Sequence, residues 1–168
     1  MKIKLSKLKV KNKLKEKYMV GIISDTHGLL REEVINYLKK CDYIVHGGDI
    51  NSKDVLKELQ NIAPVYVVRG NNDKGEWAEE LPKELYFNIG NIKFYMVHNK
   101  KDISSNLKSV HVIIFGHSHK YFCEKIEDIL WLNPGSCGKR RFNLPINFII
   151  MTIENDSYNI EKIDIMFN

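Results

Sequence analysis

The chain has 168 residues, 43% of them apolar and 28% charged, a composition that suits one ordinary soluble globular domain. Its longest apolar runs are far short of a membrane span, and three cysteines (Cys41, Cys123, Cys137) without a C-x-x-C pair exclude a closed disulfide framework. The net charge of +5 belongs to one end: residues 1–17 carry eight lysines against Glu16 alone, a net of +7, which leaves −2 for the rest. A reduced, cytoplasmic protein is the simplest account.

Residues 1–18 form a basic N-terminal extension in which Lys alternates with Ile, Leu and Val. With no long apolar stretch and no arginine, it matches neither a secretory signal nor a transit peptide. It reads as a poorly ordered segment or as a strand added to a sheet edge; a nucleic-acid arm is disfavoured because it lacks aromatic side chains to stack on bases. Residues 19–168 form the body. Val20–Ser24 is a short apolar run that reads as a buried strand, and Asp25-Thr26-His27 is the turn at its end. Gly28 opens a helical stretch with Leu30, Val34, Leu38 and Cys41 on one stripe. Tyr43–Val45 is a second strand ending in His46-Gly47-Gly48-Asp49. Ser52 caps a second helix that turns Val55, Leu56 and Leu59 inward. Val65–Val68 is a third strand, ending in Arg69-Gly70-Asn71-Asn72-Asp73. This βαβαβ order implies right-handed parallel crossovers.

Beyond Pro82 the pattern becomes mostly β. Glu84–Ile89 and Lys93–Val97 read as a hairpin through Gly90-Asn91, and the second run ends in His98. A short helical piece follows, with Asp102 as its expected cap. Val110–Phe115 is an apolar strand ending in Gly116-His117-Ser118-His119. Further strands are expected at Tyr121–Lys125, Ile129–Leu132, Ile146–Ile153 and Tyr158–Ile165, with Asn133-Pro134-Gly135-Ser136 as a turn. Two mixed sheets packed face to face and flanked by helices, a four-layer α/β/β/α sandwich, is the natural layering.

The chemistry collects at strand ends. Asp25 and His27, Asp49, Asn71, His98, and His117 with His119 are seven metal-ligand candidates on five loops, each after an apolar strand. Parallel strands would gather these loops at one edge, where open α/β sheets place ligands. Two histidines fall outside the set. His111 is expected in or near the core, and His46 is expected in a structural or ligand-orienting role. Seven ligands with one shared acid make two shells of four, and Asp49, from the middle of the sheet, is the natural bridge. Imidazole, carboxylate and amide oxygen without thiolate suit Mn²⁺, Fe²⁺, Ni²⁺ or Zn²⁺. Two such ions clamp the oxygens of an in-line displacement and acidify a bridging water, which is the help that phosphate ester hydrolysis needs. No Ser-His-Asp or Cys-His arrangement competes.

The order Asp25-x-His27, Gly48-Asp49, Gly70-Asn71, a lone His98 and Gly116-His117-x-His119 resembles the calcineurin-like metallophosphoesterase superfamily. Length and the Asn133–Ser136 turn resemble its small prokaryotic phosphodiesterase branch, often called YfcE-like. The resemblance implies one metal on Asp25, His27, Asp49 and His119, and another on Asp49, Asn71, His98 and His117, with Mn²⁺ favoured. It implies catalytic roles for Asp49 and Asn71 and a substrate-phosphate contact from Asn71; Asn72, at the position after Asn71, is a further candidate for catalysis and phosphate contact, and Arg141 is a candidate for phosphate contact on its charge. It implies a phosphodiesterase acting by attack of a metal-bridging hydroxide on a small phosphate diester or nucleotide-like substrate, with no membrane or nucleic-acid partner and with homo-oligomerisation left open. The alternative is a non-catalytic interaction scaffold, as in the metallophosphoesterase-like retromer subunit. Asn72 stands where larger members carry a leaving-group histidine, which favours esters with acidic leaving groups. Lys100, Lys101, Lys139, Arg140, Arg141 and Arg69 are further candidates for charge near a phosphate.

Overall fold

The computed structural model describes residues 16–167. Among these, ten strands form two five-stranded sheets. In the first sheet β1 (Lys17–Ile23), β2 (Tyr43–His46) and β3 (Val65–Val67) run parallel, and β9 (Ile146–Glu154) and β10 (Ser157–Ile165) add antiparallel beside β1. The second sheet has the order β4 (Glu84–Ile89), β5 (Ile92–Val97), β6 (Val112–Ile114), β8 (Ile129–Asn133) and β7 (Phe122–Ile126). Its three middle strands β5, β6 and β8 are parallel, and the outer two are antiparallel to their neighbours. Lys17 and Tyr18 therefore belong to a central strand; the remainder of the basic extension, residues 1–15, lies outside the described residues.

Alternation along the strands sorts side chains between layers, because successive residues of a strand point to opposite faces. Val20, Ile22, Ile149 and Met151 of the first sheet meet Phe94, Met96, Val112 and Ile114 of the second in the inter-sheet core. Tyr66 of β3 stacks on Phe87 of β4 at 4.2 Å and Phe87 on Phe94 at 4.9 Å, which ties the sheets at one edge. Ile23, Ile44, Phe148 and Ile150 face outward, under α1 (Glu32–Leu38) and α2 (Lys53–Ile62). The α2 cap is as the sequence indicates: the Val55 N–H donates to Ser52 Oγ. α1 starts later than Gly28, because Leu29 N–H bonds back to the Thr26 carbonyl in a tight turn and Gly28 is left-handed at φ 81°. On the outer face of the second sheet, Tyr95, Val97 and Ile113 are covered by a 3-10 turn (Lys100–Asp102) and the loop carrying Ile103, Leu107 and Val110, so this fourth layer is thin.

Several sequence expectations shift. A four-residue helix, α3 (Glu76–Glu79), appears where none was read. The cap of the 3-10 turn is Asn99, whose side-chain oxygen accepts from Lys101 N–H; Asp102 is its last residue. His111 is exposed, not core: it precedes β6, and its Nδ1 accepts the Lys93 N–H. An imidazole that already bonds an edge backbone group has no need of burial. No helix among the described residues is long and apolar enough to cross a membrane.

Candidate metal centre

β1, β2 and β3 of one sheet and β5 and β6 of the other end at the same edge, and their loops are stitched to one another. Asp25 N–H donates to the Gly48 carbonyl and His27 N–H to the Asp49 carbonyl, both at 3.0 Å. Gly116 N–H donates to the His98 carbonyl at 2.9 Å, and His117 N–H crosses between sheets to Asp25 Oδ2 at 3.1 Å. Close approach demands glycine here. A Cβ on Gly70 would collide with the Asp49 backbone nitrogen and carboxylate, and one on Gly116 with Ser24 Oγ.

Five of the seven ligand candidates adopt left-handed backbone: Asp25 (φ 55°), His27 (47°), Asp49 (57°), His117 (69°) and His119 (59°). Each costs on the order of 1 kcal/mol for a residue with a Cβ, and such strain persists where the surrounding structure fixes it. At the strand ends it turns Asp25 and His27 inward together, while Thr26 between them bonds His46 instead.

Among the described residues, two groups could each hold a metal ion. In the first, His27 Nε2, His119 Nε2 and Asp25 Oδ1 form a triangle with sides of 3.1, 3.3 and 3.8 Å. All three residues are buried. In the second, His98 and His117 join Asp49, and Asn71 Oδ1 lies 3.0 Å from His117 Nδ1. Asp49 Oδ2 lies between the groups, 3.8 Å from His27 Nε2 and 3.3 Å from His98 Nε2. The structure thus brings all seven sequence candidates to one place. Asp25 Oδ1 and His98 Nε2 are fully buried and make no hydrogen bond with another protein group. The approach of His98 Nε2 to Asp49 is close but not aligned for one. Buried polar atoms are rarely left so, and a cation satisfies a carboxylate oxygen and a bare imidazole nitrogen together.

The surrounding contacts orient these donors. His98 Nδ1–H donates to the Gly47 carbonyl at 2.7 Å, which leaves Nε2 bare for the site. The Asn51 amide meets His27 Nδ1 at 3.2 Å. His46 Nδ1 accepts the Gly48 N–H, so in the neutral ring Nε2–H donates to Thr26 Oγ1, and Thr26 in turn donates to the Ile50 carbonyl. Burial pushes the His46 pKa down to about 4, consistent with this neutral orienting role. Burial also lowers His27, and the Arg141 guanidinium lowers it further. For Asp49, burial alone would raise the pKa. The nearby His98 and hydrogen bonds from the Asn72 backbone and side chain outweigh it and hold the carboxyl well below the usual range. Burial would lower His98, but the Asp49 and Asp25 carboxylates and the Gly47 carbonyl outweigh it and raise its pKa.

Some contributors went unread in the sequence. Asp73 is buried and accepts three backbone N–H groups: Asp49 (3.0 Å), Asn51 (2.8 Å) and Gly70 (2.8 Å). It locks the Asp49 loop to the Asn71 loop. Its signal was an acid three residues after a glycine, where Asp commonly bonds local backbone. The Asn133–Ser136 turn does more than reverse the chain: Asn133 Nδ2 donates to the Gly116 carbonyl and Ser136 Oγ to the Asp25 carbonyl, both at 2.9 Å. Asn72 gives its backbone N–H and its amide to the two oxygens of Asp49, at 2.9 and 2.8 Å. Lys100 is directed elsewhere, onto the rings of Phe115, Phe122 and Trp131 at 4.7–5.5 Å. Arg69 Nε–H is pinned to the Asp73 carbonyl at 3.2 Å and lines a cleft of about 540 Å³ together with Asn71, His98, Lys74 and Lys83. Burial raises the Cys137 thiol to about 12 and the Cys41 thiol to about 11, so these two stay protonated at neutral pH.

Paired sheets whose facing edges carry two adjoining His/Asp metal groups define a metallophosphoesterase fold. The calcineurin-like phosphoesterase superfamily domain matches residues 19–156, and the chain belongs to that superfamily. It is 30% identical over 159 residues to a probable metallophosphoesterase of Methanothermobacter thermautotrophicus, covering 86% of this chain and 91% of that protein. It is 31% identical over 139 residues to a phosphodiesterase of Methanocaldococcus jannaschii, covering 70% of this chain and 83% of that protein. Among solved structures, Vacuolar Protein Sorting 29 from Cryptosporidium parvum superposes with a TM-score of 0.73 at 21% identity, covering 90% of this chain and 99% of that one.

Proposed function

We propose that the protein is a dinuclear-metal phosphodiesterase, with Mn²⁺ as the favoured ion and a small phosphate diester as substrate. The observation that carries this is Asp49 Oδ2, which reaches toward His27 on one side and His98 on the other, so that one carboxylate joins two otherwise complete donor sets. Asp25, His27, Asp49 and His119 would hold one ion, and Asp49, Asn71, His98 and His117 the other. Bound there, the ions would supply positive charge for the phosphoryl oxygens and acidify water. The chain does the positioning. Asp73 fixes the Asp49 backbone and Asn72 its carboxylate, and His46 and Asn51 fix the loop of Asp25 and His27. Asn71, Asn72 and Arg141 are exposed at the site and are the proposed contacts to the substrate phosphate.

A census of imidazoles limits the mechanism. Of six histidines, four belong to the donor sets, His46 is fully buried, and His111 is spent on the Lys93 backbone. None is left to protonate a leaving group. Turnover is then expected to depend on leaving-group acidity, since an imidazole acid worth ~10²–10⁴-fold would be missing.

The test is metal content and turnover together. Purified protein should carry about two divalent ions per chain, one for each of the two donor groups, and hydrolyse bis(p-nitrophenyl) phosphate. Chelation should stop turnover, Mn²⁺ should restore it, and Asp49→Ala should lose both metal and activity. A second reading, a protein-interaction scaffold, draws on the fold likeness to Vacuolar Protein Sorting 29. It takes over if no diester turns over with Mn²⁺, Ni²⁺ or Zn²⁺ added.

A further inference from the structure

Phe142 carries two costs at one position. It is 80% exposed, an unusual place for a large apolar ring. It also has φ 54°, and Asn143 follows at φ 53°, with Leu144 N–H donating back to the Arg141 carbonyl at 3.0 Å. A turn with two left-handed central residues ordinarily takes Asn and Gly, and a bulky side chain there is an outlier. Nothing in the core repays either cost.

The turn is also held in place beside the metal centre. The Phe142 ring lies 6.1 Å from the His119 imidazole, centroid to centroid, at 66°. At the root of the turn, Gly138 packs so tightly on the Thr26 carbonyl that a Cβ would collide with it. The Gly138 carbonyl accepts Arg31 Nε–H at 3.1 Å. The ring is therefore presented to solvent at a set distance from the Asp25–His27–His119 group. Arg140 and Arg141, both exposed, stand next to it in the chain.

We propose that Phe142 is a stacking platform for the nucleobase of the substrate, and that the protein acts on nucleoside phosphodiesters. The inference rests on the phosphodiesterase reading for the reacting phosphate. A base joined by one sugar to a phosphate at the metal centre would place a planar ring where this exposed ring stands, with Arg141 beside the anionic part. Base–aromatic stacking tolerates any base, so it selects nucleosides without selecting among them.

The test compares two esters with the same leaving group, thymidine 5′-(p-nitrophenyl phosphate) and methyl p-nitrophenyl phosphate. Phe142→Ala should lower the ratio of kcat/KM between them about tenfold, the size of one lost stacking contact, and Phe142→Tyr should restore it. A ratio that stays within about twofold, or equal losses in Ala and Tyr variants, overturns the proposal. A second readout does not need turnover. In zinc-loaded Phe142→Trp, adenosine 5′-monophosphate should quench the added indole saturably above the background of Trp77 and Trp131, and ribose 5-phosphate should not. No quenching sinks the proposal even in an active enzyme. Quenching without hydrolysis of either ester would instead remove the phosphodiesterase reading and leave nucleotide binding standing.

Discussion

The Asp25–His27–His119 group is sealed, with each residue 4% exposed or less, whereas His117 and Asn71 of the adjoining group stand in solvent. The sealed group takes its donors from β1 and from the loop after β6, so it exists only once both sheets have packed. The open group borders the cleft of Arg69, Lys74 and Lys83. A ligand set buried this way holds its geometry without help, while an open one can exchange water and substrate. Asp49 Oδ2 lies between the two groups, and under the proposed function the sealed side would anchor one ion while the open side would admit water and substrate.

Substituting one donor on each side would break this comparison most directly. His119→Ala should remove one ion per chain and lower kcat by roughly 10³-fold, because the charge stabilisation lost is several kcal/mol. His117→Ala should retain near-normal stoichiometry, with affinity weakened roughly 10–100-fold as water fills the exposed position. Titration calorimetry with Mn²⁺ on both variants decides it, and equal losses would mean that burial does not matter.

Asp73 sharpens the comparison from the protein side. Asp73→Asn leaves the volume unchanged but weakens a buried acceptor for three N–H groups, so a loss of about 1–3 kcal/mol in stability is expected. Metal affinity should fall in the open group before the sealed one, because Asp73 bonds the Asp49 and Gly70 backbones and not the His119 loop. Denaturant melts in chelator, paired with metal titration, separate the two effects.

The last expected effect is one of pH. His46 titrates near 4 when folded and at 6.5 when free. Between those values the unfolded chain binds the extra proton, so stability is full above pH 6.5 and is lost as pH falls toward 4. The contribution is about 3 kcal/mol at most, and His98, whose pKa is raised, offsets part of it. Denaturant midpoints measured from pH 7 to pH 4 in chelator should fall, and an NMR titration should show His46 neutral down to about pH 4. An imidazole that protonates near pH 6.5 in the folded chain would contradict the buried Gly48–His46–Thr26 network.

Much of this was legible in the chain alone. The short apolar runs at Val20–Ser24 and Lys93–Val97 read as strands, and the Ser52 cap and the hairpin at Gly90-Asn91 are local signals. The seven donors could be named because each follows an apolar strand and belongs to a short motif. Their convergence was foreseeable from parallel strand order, since parallel strands end at one edge.

Other features were settled by long-range packing, which short windows of sequence do not encode. His111 lies in an apolar run yet is exposed, and His46 beside two glycines is fully buried, because burial depends on which layer covers a strand end. Lys100 looked available to a phosphate and is instead occupied by three aromatic rings from β7, β8 and the end of β6. Asp73 reads locally as a turn residue, but its second task, holding Asp49 from 24 residues away in sequence, needs the folded edge. The residue types and their order determined which atoms were available for a metal centre. Only the packing of two sheets decided which are sealed, which are open, and that Phe142 stands beside them.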